Sequence, residues 1–192
     1  MREITLKIAL FFFTIGLLQN SPVKAQAPDS KNHVYLELAG KGLYYSVNYE
    51  RYLFNITDEL GVQASAGFGL FPGMTDIAPS KDITIPFELN FNYSFGVHNV
   101  AFGYGTTFWK YQLPFMDISN ENLDNEPLVP MLTPVKEWFA HMTFDYRYRP
   151  SEAGLSFKAG ITPLFFAKMQ NFAYQKKSNA AFSANVGIGY VF

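Results

Sequence analysis

Cysteine is absent from this chain. That excludes a disulfide framework, a thiolate metal site, a cysteine nucleophile and the acceptor that a lipoprotein anchor needs. Histidine is scarce, at three residues, so imidazole chemistry has few places to sit. Charge is also thin: Asp, Glu, Lys and Arg make up 16% of the chain, against about 25% in ordinary soluble domains. There is no basic surplus, with 15 Lys and Arg against 16 Asp and Glu, so nothing points to nucleic acid. Beyond residue 25 no apolar run approaches the ~20 residues that a membrane-crossing helix requires. Any crossing of a bilayer must then be made by a closed barrel of strands.

The first residues read as a secretion signal. Arg2 and Lys7 give a positive start, and Ile8 to Leu18 form an apolar run. Gln19-Asn20-Ser21-Pro22 break it, and Val23-Lys24-Ala25 supplies small or β-branched residues at the positions a signal peptidase reads. Cleavage is expected after Ala25. The run is too short for a transmembrane anchor. The expected organisation is a signal peptide over 1–25, a short polar leader over 26–32 and one domain over 33–192, with no cofactor.

What the chain has in abundance is aromatic residues, at 18%, arranged with a period of two. Ile85, Phe87, Leu89, Phe91, Tyr93 and Phe95 alternate with Pro86, Glu88, Asn90, Asn92 and Ser94. Trp138 to Arg149, Val100 to Trp109, Leu155 to Thr162, Val62 to Leu70 and Phe182 to Phe192 alternate in the same way. Side chains on a strand point to opposite faces in turn, so each segment predicts a strand with one apolar face and one small polar face.

The connections are of two kinds. Phe54 to Gly61, Gly96 to Asn99 and Pro150 to Gly154 are short, whereas 72–82, 113–135 and 169–178 are longer and richer in Pro, Asn and charge. Membrane barrels have short periplasmic turns and long outer loops, which assigns the two ends. Counting back from a last strand that ends in the periplasm, the strand over Leu43 to Leu53 runs downward and needs an upward strand before it. Val34, Leu36 and Leu38, alternating with Tyr35, Glu37 and Ala39, supply one. Gly40-Lys41-Gly42 joins them as a tight outer hairpin in which Gly provides positive φ. Eight antiparallel strands result: an all-β, up-and-down transmembrane β-barrel after a cleaved signal peptide.

Tyr45, Tyr49, Trp138, Tyr146, Tyr148 and Tyr190 fall toward strand ends of the apolar face, as interface girdles do. A soluble sandwich would carry many Lys and Glu on its polar face; here that face holds Gly, Ser, Thr and Asn. Its few charges, Glu37, Glu50, Glu88 and Asp145 against Arg147, Lys158 and Arg149, are expected to form an ionic network that fills the lumen. An eight-stranded barrel is just wide enough for side chains to fill, and buried charges must pair. The inward glycines, among them Gly103, Gly105 and Gly160, make room for Tyr44, Tyr52, Trp109 and Phe139 or leave a small cavity.

Catalysis finds no anchor. Acyl transfer needs a base beside a hydroxyl; His33 and His98 fall at the periplasmic end, and His141 is read as a polar lumen residue near Thr143 and Asp145. Asp117-Ile118-Ser119-Asn120-Glu121 lacks the Gly and closing Glu of a calcium loop, so no metal is expected. The long loop also sets Pro114, Pro127, Pro130 and Pro134 among apolar residues, as suits a cover over the mouth or a contact surface.

The segment Gly187-Ile188-Gly189-Tyr190-Val191-Phe192 resembles the C-terminal signal by which the barrel assembly machinery recognises outer-membrane proteins. The resemblance implies that Ile188, Tyr190 and Phe192 carry that signal. Val34 to Arg51 and Ile161-Thr162-Pro163-Leu164 resemble small outer-membrane β-barrel proteins of the Bacteroidetes type, and the architecture is similar to barrels of the outer-membrane protein A and X type. That resemblance implies a cell outer membrane location. The expected protein is a monomer with a largely filled lumen, partnered by outer-membrane lipid and lipopolysaccharide and the assembly machinery. Its expected role is structural or in surface contact. The alternatives are a narrow porin or carrier for small hydrophobic molecules and, more remotely, a lipid-modifying enzyme.

Overall fold

The computed structural model describes residues 31–72, 81–115, 131–166 and 180–192. The expected signal peptide over 1–25, residues 26–30 of the expected leader, and residues 73–80, 116–130 and 167–179 lie outside these residues. Eight antiparallel strands form a closed barrel in sequence order. They are β1 (Asn32–Ala39), β2 (Tyr45–Asn55), β3 (Leu60–Pro72), β4 (Lys81–Phe95), β5 (His98–Phe115), β6 (Met131–Tyr148), β7 (Gly154–Phe166) and β8 (Ala180–Val191). Closure comes from β1 against β8, with Leu36 opposite Ile188. At the end of this ladder, Asn32 of β1 and Phe192, just past β8, exchange both backbone hydrogen bonds, at 3.0 and 2.9 Å. A closed sheet has no edge strand to leave unpaired.

The period-two segments form strands as expected, but their ends do not all fall where composition placed them. β5 runs through Leu113 to Phe115 and β6 begins at Met131, so both ends of the expected 113–135 loop are strand. Pro134 is tolerated opposite Gln112 within that extension. Prolines do leave a mark elsewhere. The β3–β4 ladder is interrupted between Ala66–Phe87 and Gly69–Thr84, the stretch containing Pro86. The β6–β7 ladder is interrupted between His141–Leu164 and Phe144–Ile161, the stretch containing Pro163. Each proline lacks the N–H that a rung requires, yet the register is the same on both sides of each gap.

The largest departure is the first hairpin. Gly40–Gly42 forms a single 3-10 turn whose three residues are all buried. It does not project from the barrel mouth; it folds into the lumen. Entry and exit use left-handed backbone at Ala39 (φ 57°), Gly40 (φ 65°) and Leu43 (φ 70°). Leaving the turn this way delays β2 until Tyr45 and shifts Tyr44 outward. Tyr44 was expected across the lumen; it is 49% exposed, with its ring 4.7 Å from that of Phe71.

Candidate functional site: the lumen

The alternation puts polar groups inside and apolar groups outside. Glu37, Glu50, Lys41, Asn90, Thr107 and His141 are fully buried, whereas Leu89 is 50% and Trp138 55% exposed. The lumen therefore holds the chain's chemistry.

Arg147 is its hub. It donates to Glu50 Oε2 at 2.8 Å, Asn90 Oδ1 at 2.9 Å and Asp145 Oδ2 at 3.0 Å. Arg149 reaches the other oxygen of Glu50 at 3.1 Å. Lys158 bridges Asp145 at 3.0 Å and Glu37 at 2.5 Å. The six expected network residues, Glu37, Glu50, Glu88, Asp145, Arg147 and Lys158, thus all line the lumen. Asn185 adds a hydrogen bond from Nδ2 to Asp145 Oδ1 at 3.0 Å.

Glu88 is paired by a residue that sequence reasoning left in a solvent-exposed turn. Lys41 Nζ lies 2.8 Å from Glu88 Oε1, 3.0 Å from Tyr35 Oη and 3.2 Å from Ser65 Oγ. All three donor directions of the ammonium are used, which a buried charge requires. The turn that carries Lys41 is tied to the wall at the backbone. Thr107 donates to the carbonyl of Lys41 at 3.0 Å, Thr84 to that of Gly42 at 3.3 Å, and Gly40 N–H to Ser183 Oγ at 3.0 Å. A signal for this was present in the sequence. The expected network set four carboxylates against three cations, and Lys41 adds a fourth cation to it. His141 lies 3.3 Å from the second oxygen of Glu88 and 3.2 Å from Thr107 Oγ1.

Toward the loop end, Trp109, Tyr111, Phe139, Leu164 and Phe166 pack together inside the barrel with Leu43 and Val135 against them. The lumen is thus filled in succession by an ionic network, a peptide turn and an aromatic cluster. Space remains at the turn end, in a pocket lined by residues including Tyr52, Gln63, Asn92 and Arg149.

A second grouping was not expected. His33 Nε2 lies 2.6 Å from Ser156 Oγ, and His33 Nδ1 lies 3.4 Å from Glu50 Oε1. A base beside a hydroxyl, with a carboxylate behind it, has the order of an acyl-transfer triad. Two features weigh against that use. All three side chains are buried in the lumen, and the carboxylate is shared with the Arg147 and Arg149 guanidinium groups. No group of three or more potential metal ligands occurs among the described residues. His98 sits at the start of β5, exposed, with Nδ1 2.6 Å from Tyr146 Oη. Ile188, Tyr190 and Phe192 of the expected assembly signal face outward.

No family model matches this chain, and no curated protein matches it. Among solved structures, it is similar to the N-terminal β-barrel domain of Pseudomonas aeruginosa OprF. The two share 11% sequence identity with a TM-score of 0.46, over 84% of this chain and 96% of that one.

Proposed function

We propose that this is an integral outer-membrane barrel with a filled lumen, secreted by a signal cleaved after Ala25, whose role is structural or in surface contact. One observation carries the reading: the barrel is apolar outside and ionic inside, the reverse of a protein folded for water. The apolar stripe on β4 runs from Ile83 to Phe95. At ~3.3 Å per residue and a tilt near 45° it rises about 28 Å, close to the ~25 Å band of outer-membrane barrels.

Leu89→Arg places a charge mid-strand on that face. It is expected to destabilise the barrel in lipid by about 2–4 kcal/mol, measured by urea unfolding in vesicles. Glu152→Arg, in an exposed turn, should stay within about 0.5 kcal/mol of the parent. Recovery of the native chain in a soluble fraction, or an equally small effect at Leu89, would remove the membrane reading.

The filled lumen favours this role over a porin or carrier, because buried side chains occupy the axis. In this reading the His33–Ser156 pair is structural. A fluorophosphonate probe is expected to leave Ser156 unmodified in the folded protein. Stoichiometric labelling that disappears in Ser156→Ala would instead reinstate a hydrolase.

A further inference from the structure

Three lysines break the apolar outer face, and they do so in one sector. Lys110 of β5 stands directly opposite Lys136 of β6. Lys110 is also paired with Ile83 of β4, which places Lys81, two residues along on the same face, diagonally beside it. Directly opposed side chains on neighbouring strands come within ~5 Å at Cβ, and diagonal ones within ~8 Å. Like charges placed so repel unless something between them neutralises the pair.

Nothing in the described barrel does so. Among the described residues none of the three ammonium groups has a salt-bridge partner. Their acidic sequence neighbours, Asp82 and Glu137, take the opposite, lumen-facing phase of the alternation, and Asp82 is buried. The row lies immediately beyond Phe108 and Trp138, whose rings pack at 5.2 Å, where an apolar band gives way to headgroups. At the corresponding end of the neighbouring strand β3 the outward residues, Leu70 and Pro72, are uncharged.

We propose that Lys81, Lys110 and Lys136 form a docking site for the phosphorylated headgroup of an anionic lipid in the leaflet at the loop end. This rests on the membrane reading above and specifies the lipid contact that it requires. A phosphate set among the three ammonium groups converts their mutual repulsion into charge-assisted hydrogen bonds, while the acyl chains lie along Trp138 and the apolar face below.

The test uses the full mature chain, folded in a neutral detergent and titrated with diphosphoryl lipid A, with retained lipid counted by native mass spectrometry. The wild type is expected to hold the lipid with a half-saturation at least tenfold lower than the variant combining Lys81→Gln, Lys110→Gln and Lys136→Gln. Lys110→Gln alone, at the centre of the row, should lose about threefold, which keeps the test usable if the triple variant folds poorly. Arg51→Gln, an outward cation at the other end of the barrel, should lose nothing. Equal retention by wild type and both lysine variants would overturn the site, as would an equal loss with Arg51→Gln. Inorganic phosphate competing as effectively as the lipid would overturn the lipid as ligand. Each of these failures leaves the membrane reading standing, because that reading is tested by fractionation and by Leu89→Arg.

Discussion

Lys41→Met is expected to cost about 3–5 kcal/mol of barrel stability, the range for breaking a buried ion pair from one side. The change nearly preserves volume, so little of the loss comes from packing. What it removes is the charge opposite Glu88, a carboxylate whose other partners among the described residues are Thr143 Oγ1 at 3.1 Å and His141 at 3.3 Å. Adding Glu88→Gln should restore most of the stability, because the double variant leaves no uncompensated charge. Urea unfolding of the parent, both single variants and the double variant in one lipid completes the cycle. Additive losses would mean that the two groups do not depend on each other. Neither variant should conduct, since Thr84, Thr107 and Ser183 hold the turn through its backbone rather than through the lysine side chain. The parent should likewise pass no steady current in planar bilayers. A steady open current through the parent would mean that the turn does not fill the lumen.

Lys41 also marks where the sequence stops being legible. The strands could be read because alternation is local: Ile85 to Phe95 declares both its faces without reference to any other strand. The first strand followed from the number of crossings, and the inward charges followed from their phase. The direction of a turn is different. Gly40-Lys41-Gly42 has the composition of a hairpin pointing into solvent, and what draws it inward is a set of acceptors and donors on β4, β5 and β8, far away in sequence. The one-cation deficit of the expected network, Glu37, Glu50, Glu88 and Asp145 against Arg147, Lys158 and Arg149, was the hint. Tyr44 was misplaced for the same reason, because the inward turn shifts the alternation that follows it. The His33–Ser156 contact spans 123 positions. It arises from the stagger with which β8 meets both β1 and β7, where Tyr35 and Ser156 both face Gly189. No local pattern encodes that stagger. Loop limits failed more simply: Pro, Asn and charge suggest irregular structure, but β5 and β6 support each other's backbone well past that change in composition.

Gly105→Ala is expected to be among the most damaging single methyl groups that can be added to this barrel. A Cβ at Gly105 falls onto the backbone carbonyl oxygen of Phe87 on the neighbouring strand, and also comes within 2.6 Å of His141 Nε2 and 2.9 Å of the Glu88 Cα. Overpacking usually costs about 1–3 kcal/mol because side chains can rotate away. Here two of the three obstacles are backbone atoms of β4, which is hydrogen-bonded on both sides in a closed sheet and has no free direction in which to move. The strands must separate where Glu88 stands opposite Gly105, which disturbs the Lys41–Glu88 pair as well. The loss should exceed about 4 kcal/mol, a size reserved for a few mechanisms of this kind. Gly154→Ala provides the comparison: its Cβ meets only the Pro150 ring, at 3.1 Å, and should cost under about 1 kcal/mol. The backbone origin of the effect can be separated from the histidine contact by adding His141→Ala to Gly105→Ala. That removes the only side chain among the three obstacles, so the double variant should be no more stable than Gly105→Ala alone. Recovery in the double variant would assign the tightness of the lumen to its polar network rather than to the spacing of strands β4 and β5.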